Sequence, residues 1–228
     1  ILCTAHASLD GLAPLQAGLC QVQDESSMLV AHVLDPKPGE FIIDTCSAPG
    51  GKTTHIAALM KNTGYIVAGD IYEHKLQRIE ENAARLGINI IHPELMDAIT
   101  VGEVYPEKAD RVLVDAPCSG LGVLRRKPDA RWKNKAELLK TLPLLQKAIL
   151  SSAAKAVKPG GTLVYSTCTI AREENQVVVE DFLQNHPEFV LEETGKYLPL
   201  QKREDSMVQL LPHLDGTDGF FIARMKRK

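Results

Sequence analysis

The sequence lacks any apolar run approaching the roughly 20 residues that a membrane-spanning helix needs, and no signal peptide is recognisable in it. It also lacks a C-x-x-C pair, since its five cysteines are odd in number and widely scattered. This distribution disfavours a disulfide framework and a zinc site, and it indicates a reducing cytoplasmic compartment. We therefore expect neither a membrane nor a metal ion among its partners.

An excess of basic charge is also missing, because the formal net charge is −3. Any case for nucleic-acid binding must therefore come from a local patch and not from the whole domain. The length of 228 residues, with 44% hydrophobic and 24% charged residues, fits one globular domain with a short appendage. Because the chain opens at Ile1 and not at Met, we expect it to be a fragment of a longer protein.

The stretch DTCSAPGGKTTH, residues 44–55, has part of a phosphate-binding loop. Gly51, Lys52 and Thr53 match the second half of G-x-x-x-x-G-K-[ST], but Cys46 stands where the first glycine is required. The dinucleotide pattern G-x-G-x-x-G is also absent, since the loop offers only two adjacent glycines. The stretch therefore predicts a strand-to-helix turn that a ligand approaches closely, without either phosphate pattern.

Apolar runs and helical patterns alternate along the chain. Strands are predicted at 40–45, 64–70, 88–97, 110–120 and 160–169, and helices at 24–34, 52–60, 136–157 and 173–184. Leu76, Ile79, Ala83 and Leu86 share one face of a further helix, and Pro143 is expected to start or kink the long one. Residues 188–193 and 219–227 are expected to pair as an antiparallel edge. This order predicts an α/β fold, a mostly parallel sheet with helices on both faces.

Polar residues follow each of the five predicted parallel strands, at the edge where such sheets bind ligands. Asp70, at the end of the second strand, is placed to accept hydrogen bonds from both hydroxyls of a ribose. Asp97 is a candidate for an adenine amino group, and an N-cap role is its close alternative. The alternative for Asp70 is that it is a solvated aspartate in a turn. Lys52 is expected to support the loop or a carboxylate.

Two cysteines are candidate nucleophiles. Cys118 and Cys168 each follow a strand and lie among Pro, Ser, Thr and Gly residues. Neighbouring strands four and five would place their sulfurs across one cleft. Cys3 and Cys20 are interpreted instead as small buried hydrophobes. The residues alone leave the two candidates equally attractive, and they leave a Cys–His hydrolase open, since such pairs meet only in space.

A basic segment, RRKPDARWKNK, follows the Cys118 loop. Phosphate contacts and an aromatic stack would suit an RNA strand near the site, and a solvated charged face is the alternative. The candidate RNA-binding residues are Arg125, Arg126, Lys127, Arg131, Trp132 and Lys133. The terminal ARMKRK is interpreted as a solvated tail.

Four motifs in this order resemble the Sun-type (Fmu/Sun, Nol–Nop–Sun) family of ribosomal RNA (cytosine-5)-methyltransferases. They are DTCSAPGGKT, VLVDAPCSGLG, YSTCT followed by EEN, and LPHLDGTDGFFIARMKR, and the resemblance covers residues 18–227. Ser47 stands where alanine is common in the family. The resemblance implies a class I S-adenosylmethionine-dependent methyltransferase (Rossmann-like) fold, with a seven-stranded sheet whose last strand is antiparallel.

The resemblance also implies the cofactor site and the domain organisation. Residues 46–52 would wrap the methionine part of S-adenosylmethionine, which has no phosphate to cradle. The implied cofactor-binding residues are Cys46, Ser47, Ala48, Pro49, Gly50, Gly51, Lys52, Asp70, Asp97 and Asp115. Family members usually carry an RNA-binding module ahead of this domain, so residues 1–20 would be its linker or extension and residues 21–228 the catalytic domain.

The implied reaction is methylation of C5 of a cytidine in RNA, with ribosomal RNA expected and transfer RNA as the main rival. By resemblance, Cys168 adds to C6, Asp115 acts near N3 as a carboxylic acid with a raised pKa, and Cys118 helps to remove the C5 proton and expel Cys168. The target base must leave its stack. DNA cytosine methyltransferases use the cysteine of a Pro-Cys motif, so the choice of Cys168 rests on resemblance.

Three other functions remain open at this stage. A P-loop-like nucleotide hydrolase conflicts with Cys46. A non-catalytic RNA-binding module conflicts with the presence of both cysteines and all the strand-end aspartates. A methyltransferase that acts on a protein or a small molecule is weakly disfavoured by the basic segment with Trp132.

Overall fold

The computed structural model describes residues 11–132, 135–199 and 203–228. The strands are β1 Phe41–Asp44, β2 Tyr65–Asp70, β3 Ile91–Leu95, β4 Ala109–Asp115, β5 Val157–Thr167, β6 Phe189–Leu191, β7 Met207–Leu210 and β8 Phe220–Arg227. The α-helices are α1 Ala13–Gln16, α2 Glu25–Leu34, α3 Gly51–Leu59, α4 Glu73–Arg85, α5 Val101–Val104, α6 Lys135–Ala156, α7 Gln176–Asn185 and α8 Pro212–Asp215. Within the described residues, no helix has the length and apolar character needed to cross a membrane.

One sheet organises these elements, in the order β3-β2-β1-β4-β5-β8-β6, with β7 also paired to β8. Strands β1 to β5 are parallel, whereas β8 runs antiparallel to β5, β6 and β7. The predicted fold class is therefore confirmed. The described sheet has eight strands and not seven, because the short strands β6 and β7 both pair with the far side of β8. The expected pairing of 188–193 with 219–227 is found as well, but β8 is an interior strand.

Helices cover both faces of the sheet because successive side chains of a strand point to opposite faces. Ile42 and Ile43 are adjacent in β1 and fully buried. Ile42 packs with residues of α2, α3 and α4, and Ile43 packs with residues of α5, α6 and α7. Both faces are thus closed by apolar side chains, and the carboxyl ends of the parallel strands are left as the place for a site.

Helix boundaries agree with the sequence patterns in most places. Asp24 caps α2 by accepting a hydrogen bond from Ser26 N at 3.0 Å, as the capping pattern predicts. Pro143 lies inside α6 and does not start it.

The interpretation of the terminal ARMKRK as a solvated tail is wrong. The segment forms the end of the interior strand β8. Ala223 and Met225 are fully buried. Arg224 is also buried, and its guanidinium donates to Glu192 Oε2 at 2.6 Å and to Val33 O at 2.6 Å. A buried guanidinium is tolerated because its donors are used. The segment therefore belongs to a strand whose residues Phe220–Met225 are all buried, although its letters are largely charged.

The interpretation of Cys20 as a buried hydrophobe is also wrong, because Cys20 is exposed. It precedes α2 in an extended stretch, and the guanidinium of Arg85 bonds to its carbonyl oxygen at 3.0 Å. Cys3 lies outside the described residues.

Candidate active site at the carboxyl ends of the parallel strands

The turn between β1 and α3 is tied to the neighbouring strand. Both the backbone N–H and the hydroxyl of Ser47 donate to Gly69 O, each at 2.9 Å, and the Ala48–Pro49 peptide bond is cis. Gly50 caps α3 with a φ of 98°, a conformation that glycine adopts without strain. The loop therefore presents its backbone at the end of β1, as the sequence predicts.

Lys52 supports a carboxylate, the second of its two predicted roles. Its Nζ lies 2.8 Å from Asp115 Oδ2, and Ser166 Oγ donates to Asp115 Oδ1 at 2.7 Å. Burial lowers the pKa of Lys52, but Asp115, Asp44 and Cys168 together raise it, so the net shift is upward. Lys52 is therefore a fixed positive charge at the ends of β1 and β4.

A raised pKa is found at Asp44, the last residue of β1. Asp44 is fully buried, and its Oδ2 accepts a hydrogen bond from Thr53 Oγ1 at 2.7 Å. Its Oδ1 is buried without a hydrogen-bond partner. Burial raises the pKa of Asp44 to about 7, against the lowering effect of Thr53. The sequence pattern does not distinguish this carboxyl from the other strand-end aspartates.

The sulfurs of the two candidate cysteines are in contact. β4 and β5 are neighbours in parallel register, and the sulfurs of Cys118 and Cys168, which follow them, are 3.3 Å apart. The hydrogen bond from Cys118 lowers the pKa of Cys168 despite burial, and Lys52 lowers it further. The same hydrogen bond, together with burial, raises the pKa of Cys118 well above its ordinary value. The pair is therefore asymmetric: the pKa of Cys168 lies below its ordinary value and that of Cys118 above it, so Cys168 is the sulfur that ionises more readily.

Cys46 is not a third nucleophile. Burial raises the pKa of its thiol to about 12, so it stays protonated at neutral pH.

Two cavities open on either side of Cys168. The β2-side cavity, about 440 Å³, includes Asp70, Asp97 and Cys118 in its lining, and the α2-side cavity, about 430 Å³, includes Asp24, Lys52 and Arg126. Four residues line both cavities: Cys46, Ala48, Asp115 and Cys168. A ligand in each cavity would thus meet the other across the Cys168 sulfur, which suits the transfer of a group from one ligand to the other.

The β2-side cavity fits the cofactor implied by the resemblance. Asp70 is buried, its Oδ1 accepts from Tyr72 N at 3.0 Å, and Lys75 Nζ lies 3.5 Å away. The remaining lining includes the apolar side chains of Ile71, Leu145 and Ile149, which the sequence patterns did not identify. A lining that combines carboxylates with apolar side chains suits a ribose joined to a flat base.

Asp97 lies in the same lining, and its alternative role is also present. Its Oδ1 accepts a hydrogen bond from Ile99 N at 3.1 Å, so it caps the short helical turn 98–100. The cap accounts for one oxygen of the carboxylate. The contact with an adenine amino group stays a prediction.

The basic segment lies at the mouth of the α2-side cavity. Arg126 is committed within the chain, because it forms an ion pair with the buried Asp218 and its Nε lies 3.6 Å from Asp24 Oδ2. Arg125 donates to Gly216 O at 3.2 Å. Lys127 lines the cavity and is exposed, and Trp132 exposes 82% of its surface. Lys133 lies outside the described residues, as does the side chain of Arg131.

A buried polar cluster under the two cysteine loops was not predicted. It centres on Glu174 and Asn175, which belong to the quoted motif EEN but had no role assigned to them. Both are fully buried, although the letters Glu and Asn usually indicate exposed positions. The only sequence signal was their place in a motif beside Cys168.

Comparisons with known proteins agree with this geometry. A family model described as 16S rRNA methyltransferase RsmB/F matches residues 31–226. The chain is 51% identical, over 93% of its length and 49% of the relative's, to the probable ribosomal RNA small subunit methyltransferase B of Bacillus subtilis (strain 168). The corresponding protein of Synechocystis sp. (strain ATCC 27184 / PCC 6803 / Kazusa) is 45% identical, over 92% of this chain and 48% of that protein.

Solved structures give the same result. NSun6 from Pyrococcus horikoshii, determined with SFG, has a TM-score of 0.87 and 35% sequence identity, over 97% of this chain and 56% of that one. The chain spans about half the length of the curated relatives it matches. It belongs to the 16S rRNA methyltransferase RsmB/F family, whose cofactor is S-adenosylmethionine.

Proposed function

We propose that this chain is the catalytic domain of an enzyme that methylates C5 of a cytidine in small-subunit ribosomal RNA through a covalent bond between Cys168 and C6. The observation that carries the proposal is the asymmetric sulfur pair, 3.3 Å apart, at the wall shared by two cavities. Relatives named as small-subunit ribosomal RNA methyltransferases support the substrate class. Because the chain covers about half of them, the activity and RNA target of the whole protein belong to the proposal, as does the assignment of residues 21–228 to the catalytic domain.

The β2-side cavity is the proposed cofactor site. S-adenosylmethionine, when bound, supplies an electrophilic methyl group on its sulfonium. Residues 46–52 would hold its methionine part along the shared wall, since Cys46 and Ala48 line both cavities and Ser47, Pro49, Gly51 and Lys52 line the α2-side one. Asp70 would accept hydrogen bonds from the ribose hydroxyls, and Asp97 would face the adenine amino group. The cytosine then occupies the α2-side cavity, on the other side of the Cys168 sulfur.

Cys168 acts first, because C5 of cytosine is a weak nucleophile. Its thiolate adds to C6, a C–S bond forms, and the electrons of the C5–C6 double bond move into the ring and make C5 nucleophilic. Asp115, on the shared wall, is proposed to meet N3, where the negative charge accumulates. Lys52, 2.8 Å from Asp115, keeps its proton, and its positive charge stabilises the same negative charge.

Cys118 acts last. Once Cys168 is bonded to C6, its sulfur no longer carries the negative charge to which the Cys118 thiol donates a hydrogen bond. The Cys118 thiol then gives its proton to water. The Cys118 thiolate removes the proton from the methylated C5, the C–S bond breaks, and the double bond forms again with Cys168 leaving as a thiolate. The net products are the methylated base, S-adenosylhomocysteine, which keeps the electron pair of the broken S–CH3 bond, and one proton in solution.

The proposal is tested by mapping 5-methylcytosine in cellular RNA by bisulfite sequencing, with and without the gene. We expect one cytidine of small-subunit ribosomal RNA to lose its methyl group in the deletion strain. Wild-type protein should restore it, and Cys168→Ala at equal abundance should not. Loss in transfer RNA would move the substrate to that class, and an unchanged map of both RNAs would refute the proposal.

A further inference from the structure

The loop that carries Cys118 rests on a buried carboxylate. Glu174 is fully buried, and its Oε2 accepts hydrogen bonds from Ser119 N at 2.9 Å and from Gln146 Nε2 at 3.0 Å. Its Oε1 accepts from the Ser119 hydroxyl. Gln146 also donates to Pro117 O at 2.9 Å. The residues on both sides of Cys118 are therefore tied, directly or through Gln146, to Glu174.

The next residue in the chain holds the other cysteine. Asn175 is fully buried. Its Oδ1 accepts from Thr167 Oγ1 at 2.6 Å, and its Nδ2 donates to Thr169 O at 3.0 Å. Thr167 and Thr169 are the neighbours of Cys168. Two consecutive buried residues thus hold the two loops that carry the sulfurs.

Further hydrogen bonds join the loops to each other. The hydroxyls of Ser119 and Thr169 are 2.9 Å apart, and Gly122 N donates to Cys168 O at 3.0 Å. Burying a carboxylate is costly unless donors surround it, and the donors of Glu174 come from the Cys118 loop and from α6. The cost is met only when the Cys118 loop sits in this position.

We infer that Glu174 is a positioning residue that keeps the Cys118 thiol at hydrogen-bonding distance from the Cys168 sulfur. It touches neither sulfur and acts through Ser119 and the Cys118 loop. The charged groups that face Cys168, Lys52 and Asp115, belong to other elements. A change at Glu174 therefore alters the sulfur pair without removing either charge.

The test is the pH dependence of Cys168 alkylation by iodoacetamide, followed by mass spectrometry of the Cys168 peptide, on the full chain without RNA or cofactor. In Glu174→Gln an amide nitrogen replaces one oxygen and cannot accept from Ser119 or Gln146. The Cys118 loop then shifts, and Cys168 loses its thiol donor. We expect the pKa of Cys168 to rise by about one unit, the effect of one hydrogen bond to a charged group.

Glu173→Gln is the matched control. It removes the same charge one residue away, and Glu173 is exposed. It should leave the Cys168 pKa at the wild-type value. If Glu174→Gln does not fold by circular dichroism, Ser119→Ala carries the test, because it removes the hydroxyl that contacts both Glu174 and Thr169. A wild-type Cys168 pKa in the folded variant would overturn the inference.

A second arm rests on the proposed function. With substrate RNA and S-adenosylmethionine, Glu174→Gln should lower kcat with little change in KM for RNA, and it should accumulate more covalent protein–RNA adduct than Glu173→Gln, because a displaced Cys118 slows release. Wild-type kcat and adduct level would overturn the positioning role. If wild-type protein itself neither methylates nor forms an adduct, the proposed function fails, and the alkylation experiment still decides the role of Glu174.

Discussion

The cleft between Cys118 and Cys168 is held by buried hydrogen bonds. In the basic segment, by contrast, the described basic side chains Arg125, Arg126 and Lys127 are exposed to solvent. Cys168 and the segment residues Arg126 and Lys127 line the α2-side cavity, whereas Cys118 lines the β2-side cavity. Under the cleft, Glu174 and Asn175 are fully buried and bonded to both cysteine loops. The described side chains of the basic segment are exposed, and the shortest ion pair among them is the one that Arg126 makes with Asp218.

The difference in burial matches two different tasks: the cleft must hold reacting sulfurs in place, and the basic segment would attract RNA. A reacting sulfur must be held within a few tenths of an ångström, which buried and satisfied polar groups achieve because any displacement leaves them without partners. Phosphate contacts need only charge near the strand, and their effect adds up over several flexible side chains. We therefore expect large, non-additive effects in the cleft and small, additive ones in the segment.

The largest expected effect separates the two cysteines. Cys168→Ala should lower methylation by about 10⁴-fold or more and form no adduct with RNA, because the nucleophile is gone. Cys118→Ala should still add to C6 and accept the methyl group, but it should stall before release. Denaturing electrophoresis should then show a protein–RNA band that protease removes.

The opposite result, with an adduct from Cys168→Ala and none from Cys118→Ala, would exchange the two roles. Normal methylation by both variants without an adduct would refute the covalent route.

The next effect concerns the buried wall of the cleft and depends on pH. Asp44 has a folded-state pKa of about 7 against an ordinary value of 3.8, so the folded protein binds the proton more tightly than the unfolded chain. Stability is therefore lost as pH rises from about 4 to about 7 and stays low above that. Relative to Asp44→Asn, wild type should lose up to about 4 kcal/mol of unfolding free energy across this window.

Urea denaturation of wild type and Asp44→Asn at a series of pH values measures the difference in their unfolding free energies. Because the two proteins share every other titrating group, the pH dependence of this difference reports on Asp44. A gap between wild type and Asp44→Asn that stays constant from pH 4 to pH 7 would show that Asp44 ionises normally.

A smaller effect is expected at the cofactor site. Asp70→Ala should weaken S-adenosylmethionine binding by about 1–3 kcal/mol, because the ribose hydroxyls lose their acceptor. Isothermal titration calorimetry measures this loss. Asp35→Ala is a suitable control, since Asp35 lies in the turn after α2 and outside both cavities. Unchanged affinity in Asp70→Ala would remove Asp70 from the site.

The smallest effect tests the basic segment itself. If Lys127 meets a phosphate, Lys127→Ala should reduce the slope of log affinity against log salt by about 0.7 for single-stranded RNA. Arg126→Ala should instead lower the melting temperature, because it leaves Asp218 buried without its closest ion-pair partner. An identical salt slope for Lys127→Ala and wild type would return the segment to the interpretation of a solvated face.

Local patterns alone predicted much of the scaffold. The five parallel strands, the turn at Gly50 and the polar residues after each strand follow from apolar periodicity and glycine placement, which are properties of neighbouring residues. The same reasoning failed where an element is defined by its partners. β7 has four residues and, among the described strands, pairs with β8 alone. The end of β8 has a charged sequence typical of a tail, yet Arg224 is buried and bonds to a carbonyl of α2.

Within the site, the sequence by itself determined which chemical groups are present: two cysteines, a lysine and a set of strand-end aspartates. The tertiary structure decided their states. It paired Lys52 with Asp115 and not with a phosphate, left one oxygen of Asp44 buried without a partner, and brought the sulfurs of Cys118 and Cys168 to hydrogen-bonding distance. Ionisation depends on burial and on charges that are distant in the chain. Cys118 and Cys168 are 50 residues apart in sequence, so only the folded sheet brings their sulfurs together.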